Sequence, residues 1–193
     1  LWLSSMGAEV KGYALHPPTI PSLFVEAKID SIVDTQIGDI RDLEKLRKSM
    51  KDFNPDVLFH MAAQPLVRHS YDAPVETYEV NVIGTVNVLE SARSCSSLKV
   101  IVNVTTDKCY ENDGRLRGYK EEDPLGGSDP YSSSKACSEL ITSAYRRSFF
   151  QDMGVGLASG RAGNVIGGGD WAEDRLIPDI LKSFENNKPV IIR

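Results

Sequence analysis

The chain has 193 residues, 41% hydrophobic and 25% charged, the make-up of one globular α/β domain with a sizeable core. A formal net charge of −5 without a basic run argues against a nucleic-acid or anionic-membrane surface, and no apolar stretch approaches the ~20 residues of a membrane span. Cys95, Cys109 and Cys137 form no Cys-x-x-Cys pair and no histidine has metal-ligand spacing, so the thiols read as reduced in a cytoplasmic protein and no metal site is expected.

"LWLSSMGAEV" reads as the end of an amphipathic helix with Gly7 as its stop. A strand over Val10 to Leu15, a Pro-rich loop and a weaker strand over Ile32 to Gly38 follow, the last ending at "GDIRD". The spacing of Leu43, Leu46, Met50 and Phe53 predicts a helix over 41–53, and "PDVLFH" a short buried strand leading into "MAAQP". Pro74 opens a long helix predicted to turn Val75, Tyr78, Val82, Val86, Leu89 and Ala92 to the core. Strand 100–104 comes next. A helix capped by Asp129, with Pro130 as its first residue, runs to about Phe150. A Gly-laced strand and turn, "GVGLASGRAGN", a helix from Ile177 to Phe184 and a strand-like "KPVIIR" complete the chain.

Alternation of this kind predicts a doubly wound parallel sheet with helices on both faces. Ligands of such sheets sit beyond the carboxyl ends of the strands, which brings Asp39, Ala62 to Gln64 and Thr105 to Lys108 to one edge. Tyr131 and Lys135 are four apart at a helix start and share a face. The lysine favours the phenolate, which makes Tyr131 a general base for a hydroxyl proton. The spacing alone fits a plain amphipathic surface equally well. A solvated turn whose two charges pair is the ordinary reading of "TTDK"; its place at a buried strand end, upstream of "DPYSSSK", favours chemistry. The expectation is that the Asp107-Lys108 tip and the Tyr131 phenol border one cavity.

"GDIRD", "VLFHMAAQP", "NVIGTVNVLE", "NVTTDKCY", "DPYSSSK" and "RAGNVIGGGDW" occur in the order seen in the extended short-chain dehydrogenase/reductase superfamily. The chain resembles its nucleotide-sugar 4,6-dehydratases. Lys108, where relatives usually have Glu, together with "AAQPLVRHSY" and "NVIGGGDW", points to the branch acting on CDP-glucose. The resemblance implies a Rossmann-like fold lacking its first strand and most of its C-terminal substrate lobe. Residues 1–160 would form the dinucleotide-binding domain and 161–193 the start of the substrate-binding region. Neighbours of the absent strand should stand unpaired, with apolar surface bare.

The resemblance also implies a mechanism. Tyr131, with Thr106 and Lys135, would take the 4-hydroxyl proton as hydride leaves for NAD. Lys108 as a neutral amine would take the C5 proton, and protonated Asp107 would serve the departing 6-hydroxyl, before hydride returns to C6. Burial would have to shift both groups in those directions. Asp39 and Ile40 would flank the adenine, and Ala62, Ala63 and Gln64 would line the ribose and nicotinamide side. Asn81 would either fix backbone near the cofactor or serve as a structural hydrogen-bonder. Arg161, Asn164 and Arg175-Leu176-Ile177 would approach the CDP-sugar, with an exposed helix start the alternative for Arg175. A homo-oligomer, dimer or tetramer, through helices 74–93 and 130–150 is implied. Two other readings stay open: an epimerase or reductase on the same scaffold, and a non-catalytic nucleotide-binding fragment.

Overall fold

The computed structural model describes residues 1–190; of the strand expected in "KPVIIR", residues 188–190 form no regular element and 191–193 lie outside the described residues. In chain order the elements are α1 (Trp2–Ser5), β1 (Lys11–Ala14), α2 (Leu23–Glu26), β2 (Asp34–Ile37), α3 (Leu43–Phe53), β3 (Val57–His60), α4 (Val67–Asp72), α5 (Pro74–Tyr78), α6 (Gly84–Ala92), β4 (Val100–Thr106), α7 (Pro130–Tyr145), β5 (Gly156–Ala162) and α8 (Leu176–Glu185). They fall into two compact units, Leu1–Ile37 with the segment from Asn164 onward, and Gly38–Gly163. No helix among the described residues is long and apolar enough to cross a membrane.

In the first unit β1 and β2 pair in parallel, Lys11 opposite Asp34 and Ala14 opposite Ile37. A Lys11–Asp34 ion pair of 2.6 Å spans the two strand starts. α8 presents Leu176, Leu181 and Phe184 at 57%, 56% and 66% exposure.

The second unit is a three-stranded parallel sheet in the order β3-β4-β5. Val57 stands opposite Val100 and His60 opposite Asn103; Val100 faces Gly156 and Thr106 faces Ala162. Five parallel strands, two and three, flanked by helices make this a Rossmann-like α/β fold. Among the described residues β3 pairs on one side only, and its Val57 and Phe59 are 47% and 46% exposed.

The apolar core lies toward the strand starts. Leu89, Ala92, Cys95, Leu98, Ile101, Phe150, Val155 and Leu157 form one buried cluster, with Met50, Leu58, Ile141 and Tyr145 packed on it. Toward the strand ends the interior turns polar. His60 Nε2 is 3.0 Å from Thr85 Oγ1, Thr85 meets Ser138, and Asn103 Nδ2 donates to Ser138 Oγ and Thr142 Oγ1. Burial, with Lys135 adding to it, pushes His60 down to about 3, so its imidazole is neutral within this seam.

That seam corrects the reading of the long helix from Pro74. Helical structure continues to Ala92, but a π turn over Glu79–Ile83 separates α5 from α6. The buried face toward α7 carries Thr77, Asn81 and Thr85, whereas Val75 and Tyr78, expected inside, are 70% and 39% exposed, Tyr78 reaching α7 through its hydroxyl on Ser133 Oγ at 2.5 Å. Apolar period misplaces the buried face because α7 answers with small hydroxyls, Ser134, Ser138 and Thr142, that satisfy a polar stripe. α4 was not anticipated. Gly84 is required where α6 crosses Ile40: a Cβ there would lie 2.4 Å from Ile40 Cδ1.

Candidate active site

Strand β4 runs two residues further than its apolar pattern, through Thr105 and Thr106, both buried. Thr106 caps the single turn Asp107–Cys109: its Oγ1 accepts from the Lys108 N–H at 3.3 Å and donates to Asp107 Oδ1 at 3.2 Å. Cys109 is buried beneath this turn, and burial pushes its thiol up to about 11. Asp107 and Lys108 both point into solvent and, among the described residues, form no ion pair with each other. The tip is thus solvated, as in the plain alternative, but its two charges do not pair. Nor is either group buried.

α7 begins as the sequence predicts. The Ser132 N–H and hydroxyl both donate to Asp129, at 2.9 and 2.5 Å, and Pro130 fills the first helical position. Gly127 just before it has φ +114°, and a Cβ there would lie 2.6 Å from Ser132 Cβ, so only glycine lets the loop enter so close. The helix packs against the Asp107–Cys109 turn and β4. Lys135, 5% exposed, donates from Nζ to the Val104 carbonyl at 3.0 Å. Burial pulls its pKa down to about 8, against the opposing pull of Glu139.

Tyr131 is half-buried, its N–H on Ser70 Oγ of α4 at 3.2 Å. Asp107 and Lys108 border an open cleft of about 1260 Å³ that continues along Tyr110, Tyr119, Arg161 and Arg146. Tyr131 and Lys135 do not line it, which corrects the expected common cavity. At the start of α7 the cleft is lined by Asp129 and Ser132, while the Tyr131 N–H donates to Ser70 of α4.

Beyond β3, Ala62 and Ala63 are half-buried and Gln64 is buried. Asn81 fixes this segment: its Oδ1 accepts from the Gln64 N–H at 2.8 Å, and its Nδ2 donates to the Gln64 carbonyl at 3.0 Å and to Ser134 Oγ at 2.9 Å. The two roles offered for Asn81 thus merge, since one amide joins the β3 end to α7. Asp39 accepts from the Arg41 backbone and guanidinium at 2.6–2.9 Å, and that bonding holds its carboxyl below the usual range. Ile40 is 6% exposed, with its carbonyl on Asn87 Nδ2 at 2.9 Å. Asn164, Leu176 and Ile177 are exposed in the other unit, where Arg175 stands half-buried at the cap of α8.

Arg161 and the unforeseen Glu139 make a buried ion pair of 3.1 Å. The signal for Glu139 was present in the sequence: Tyr131, Lys135 and Glu139 recur every four residues along one face. Among the described residues no group of three metal-binding side chains occurs.

Residues 19–181 match the family described as GDP-mannose 4,6 dehydratase. The CDP-glucose 4,6-dehydratase of Salmonella typhimurium is 60% identical over 198 aligned residues, covering all of this chain and 55% of that protein. Among solved structures, a dTDP-glucose 4,6-dehydratase of Bacillus anthracis in complex with NAD superimposes with a TM-score of 0.77 at 26% identity, covering 98% of this chain and 56% of the other. A dTDP-glucose 4,6-dehydratase of Streptomyces venezuelae with NAD bound gives 0.72 at 28% identity, over 83% and 48%. The chain thus spans about half the length of the relatives it matches. With the parallel sheet, the ordered motifs and the Tyr131–Lys135 helix lying on the Asp107–Cys109 turn, the chain belongs to the GDP-mannose 4,6 dehydratase family of the extended short-chain dehydrogenase/reductases.

Proposed function

We propose that the protein is an NAD-dependent nucleotide-sugar 4,6-dehydratase converting CDP-glucose to CDP-4-keto-6-deoxyglucose and water. The observation carrying this reading is the Asp107–Lys108 tip, an acid and a base side by side and not paired with each other, on the turn against which the Tyr131–Lys135 helix packs. An epimerase or reductase has use for Tyr131, Lys135 and Thr106 and none for that tip. The 60% identity to a CDP-glucose 4,6-dehydratase supports the same choice, and with it the CDP base.

The residues present fit a dinucleotide. Two methyl side chains at the β3 end, Ala62 and Ala63, leave main chain accessible, and Asn81 holds the following Gln64 in place. Asp39 and Ile40 would meet the adenine end. Bound NAD supplies a reversible hydride acceptor, as required by a reaction without net oxidation. Lys135, cationic below about pH 8, stabilises the phenolate with which Tyr131 takes the 4-hydroxyl proton, and Thr106 orients that oxygen. Once C4 is a ketone, the C5 proton is acidic. Lys108 takes it, and Asp107 protonates the departing 6-hydroxyl. As hydride returns to C6 the lysine would give its proton back to C5, and the proton held by Tyr131 would restore the Asp107 acid through solvent. Substrate docked over the tip would supply the desolvation that both groups lack in its absence.

The sugar nucleotide would also meet Asn164, Arg175, Leu176 and Ile177, the Arg175 fork suiting a pyrophosphate. Residues 1–160 would act as the dinucleotide-binding domain, with substrate contacts from 161 onward. Exposed Val75, Tyr78 and Leu140 on α5 and α7 support a homo-oligomer, and three free cysteines support a cytoplasmic location.

The test is incubation of the full-length protein with NAD and, separately, CDP-, UDP-, GDP- and dTDP-glucose, followed by detection of the 4-keto sugar by its alkaline chromophore. Product from CDP-glucose at about 100-fold higher kcat/KM than from the others is expected. No product from any of the four overturns the dehydratase reading, and preference for another base overturns the CDP assignment alone.

A further inference from the structure

Glu139 follows Lys135 by one turn on α7 and is 5% exposed. A carboxylate this deep must be fully hydrogen-bonded or neutral. It accepts from the Thr105 hydroxyl, from Ser159 Oγ at 2.7 Å and from the Arg161 guanidinium at 3.1 Å. Burial works against its charge, but these donors outweigh it and hold the carboxyl below its ordinary value. Arg161 carries the tie onward: Nη1 donates to Tyr110 OH at 2.9 Å and to the Glu121 carbonyl at 3.2 Å, and the guanidinium lies 4.8 Å from the Tyr110 ring centroid. Tyr110 in turn stacks on Tyr119 at 5.0 Å.

The position of these contacts in the chain is informative. Thr105 stands immediately before the Thr106–Cys109 segment and Tyr110 immediately after it. One ion pair therefore grips both ends of the turn bearing Asp107 and Lys108. We infer that Glu139 and Arg161 are positioning residues that fasten this turn to α7, and that Glu139 also keeps Lys135, one turn away, in its charged state. The catalytic half of the inference rests on the dehydratase reading; the structural half stands without it. Arg161 accordingly acts through the turn, besides bordering the cleft.

Several other titratable groups surround this corner. His60 of β3 is neutral, and Cys109 of the turn is a protonated thiol with Asp107 beside it. Tyr131 precedes Lys135 on α7. From α4 and α5, His69 and Glu76 pair with each other at the surface at 3.1 Å. At the far end of α7, Glu90 of α6 meets Tyr145, and Arg146 donates to the Leu157 carbonyl. Glu139 is the buried carboxylate among them, and it opposes the effect of burial on Lys135.

The full-length protein is compared with Glu139→Gln, Arg161→Gln and Ser159→Ala. Titration of the Lys135 side-chain NMR resonances reads the charge state without turnover, so it decides the structural half even if CDP-glucose proves not to be a substrate. The parent midpoint is expected near 8, unmoved in Ser159→Ala. Glu139→Gln should move it to lower pH, and Arg161→Gln, which leaves the carboxylate without its cation, to higher pH. With CDP-glucose both charge variants should lose about tenfold in kcat, with KM within about threefold of the parent. A folded Glu139→Gln with the parent midpoint overturns the inference. Should that variant not fold, an unmoved midpoint in Arg161→Gln does so, as does an Arg161→Gln enzyme with raised KM and unchanged kcat.

Discussion

Replacing Lys135 with methionine keeps the length and slenderness of the side chain and removes its charge. Lys135 is 5% exposed, with a pKa of about 8 in the folded chain against an ordinary 10.5. Between those values the unfolded chain binds the extra proton, so stability rises with pH across that window. Below the folded value the charge penalty is fully present, about 3 kcal/mol at 1.36 kcal/mol per pH unit. About 2 kcal/mol of it is relieved between about pH 7 and about pH 9.5. The variant escapes the penalty but leaves the Val104 carbonyl without its 3.0 Å donor, a loss of about 1 kcal/mol. Lys135→Met should therefore be about 2 kcal/mol more stable than the parent near pH 7, with the advantage nearly gone by about pH 9.5. Turnover should be lost. Urea unfolding of both proteins at the two pH values measures this. Taking the difference between them cancels groups that do not interact with Lys135, such as Tyr145, whose raised pKa acts in the opposite direction. A difference that does not change with pH would refute the assignment of Lys135 as a buried, partly suppressed cation.

Lys108→Met should leave C4 oxidation detectable as reduced-nicotinamide absorbance while 4-keto-6-deoxy product falls by about 100-fold or more; unaltered turnover removes Lys108 from the mechanism. Asn81→Ala strands the Gln64 N–H and carbonyl, so a stability loss of about 2–4 kcal/mol by denaturant titration is expected, together with weaker NAD binding by calorimetry. Gly84→Ala drives a Cβ to within 2.4 Å of Ile40 Cδ1 and should cost about 1–3 kcal/mol; an unchanged unfolding midpoint would contradict that packing. Gly127→Ala combines a φ of +114° with contact on the first turn of α7; a loss of about 1–3 kcal/mol is expected, with kcat reduced as the helix bearing Tyr131 shifts.

Much of the fold was legible in the residues. β1, β2, β3, α3 and α8 lie within a few residues of their expected bounds because period, caps and turn residues act locally. Asp129 and Pro130 fix the start of α7 by hydrogen bonding within a single turn. Val75 and Tyr78 were read inward and lie outward, because burial there follows the partner helix and not the apolar period. Glu139 was overlooked since a lone acid four residues after a lysine is usually a surface ion pair. Only the approach of β5 turns it into a buried acceptor for Thr105, Ser159 and Arg161.

The linear order of residues alone determined the alternation of strands and helices, the helix cap before Tyr131, and the placing of Thr106, Asp107 and Lys108 where β4 ends. Each of these depends on neighbours a few positions away. Tertiary structure decided which groups are buried: it lowered Lys135 to about 8, left Asp107 and Lys108 in solvent, and joined Glu139 to Arg161 across β5. Electrostatic character depends on desolvation and on charges brought together from distant segments, so it is set only when strands and helices pack.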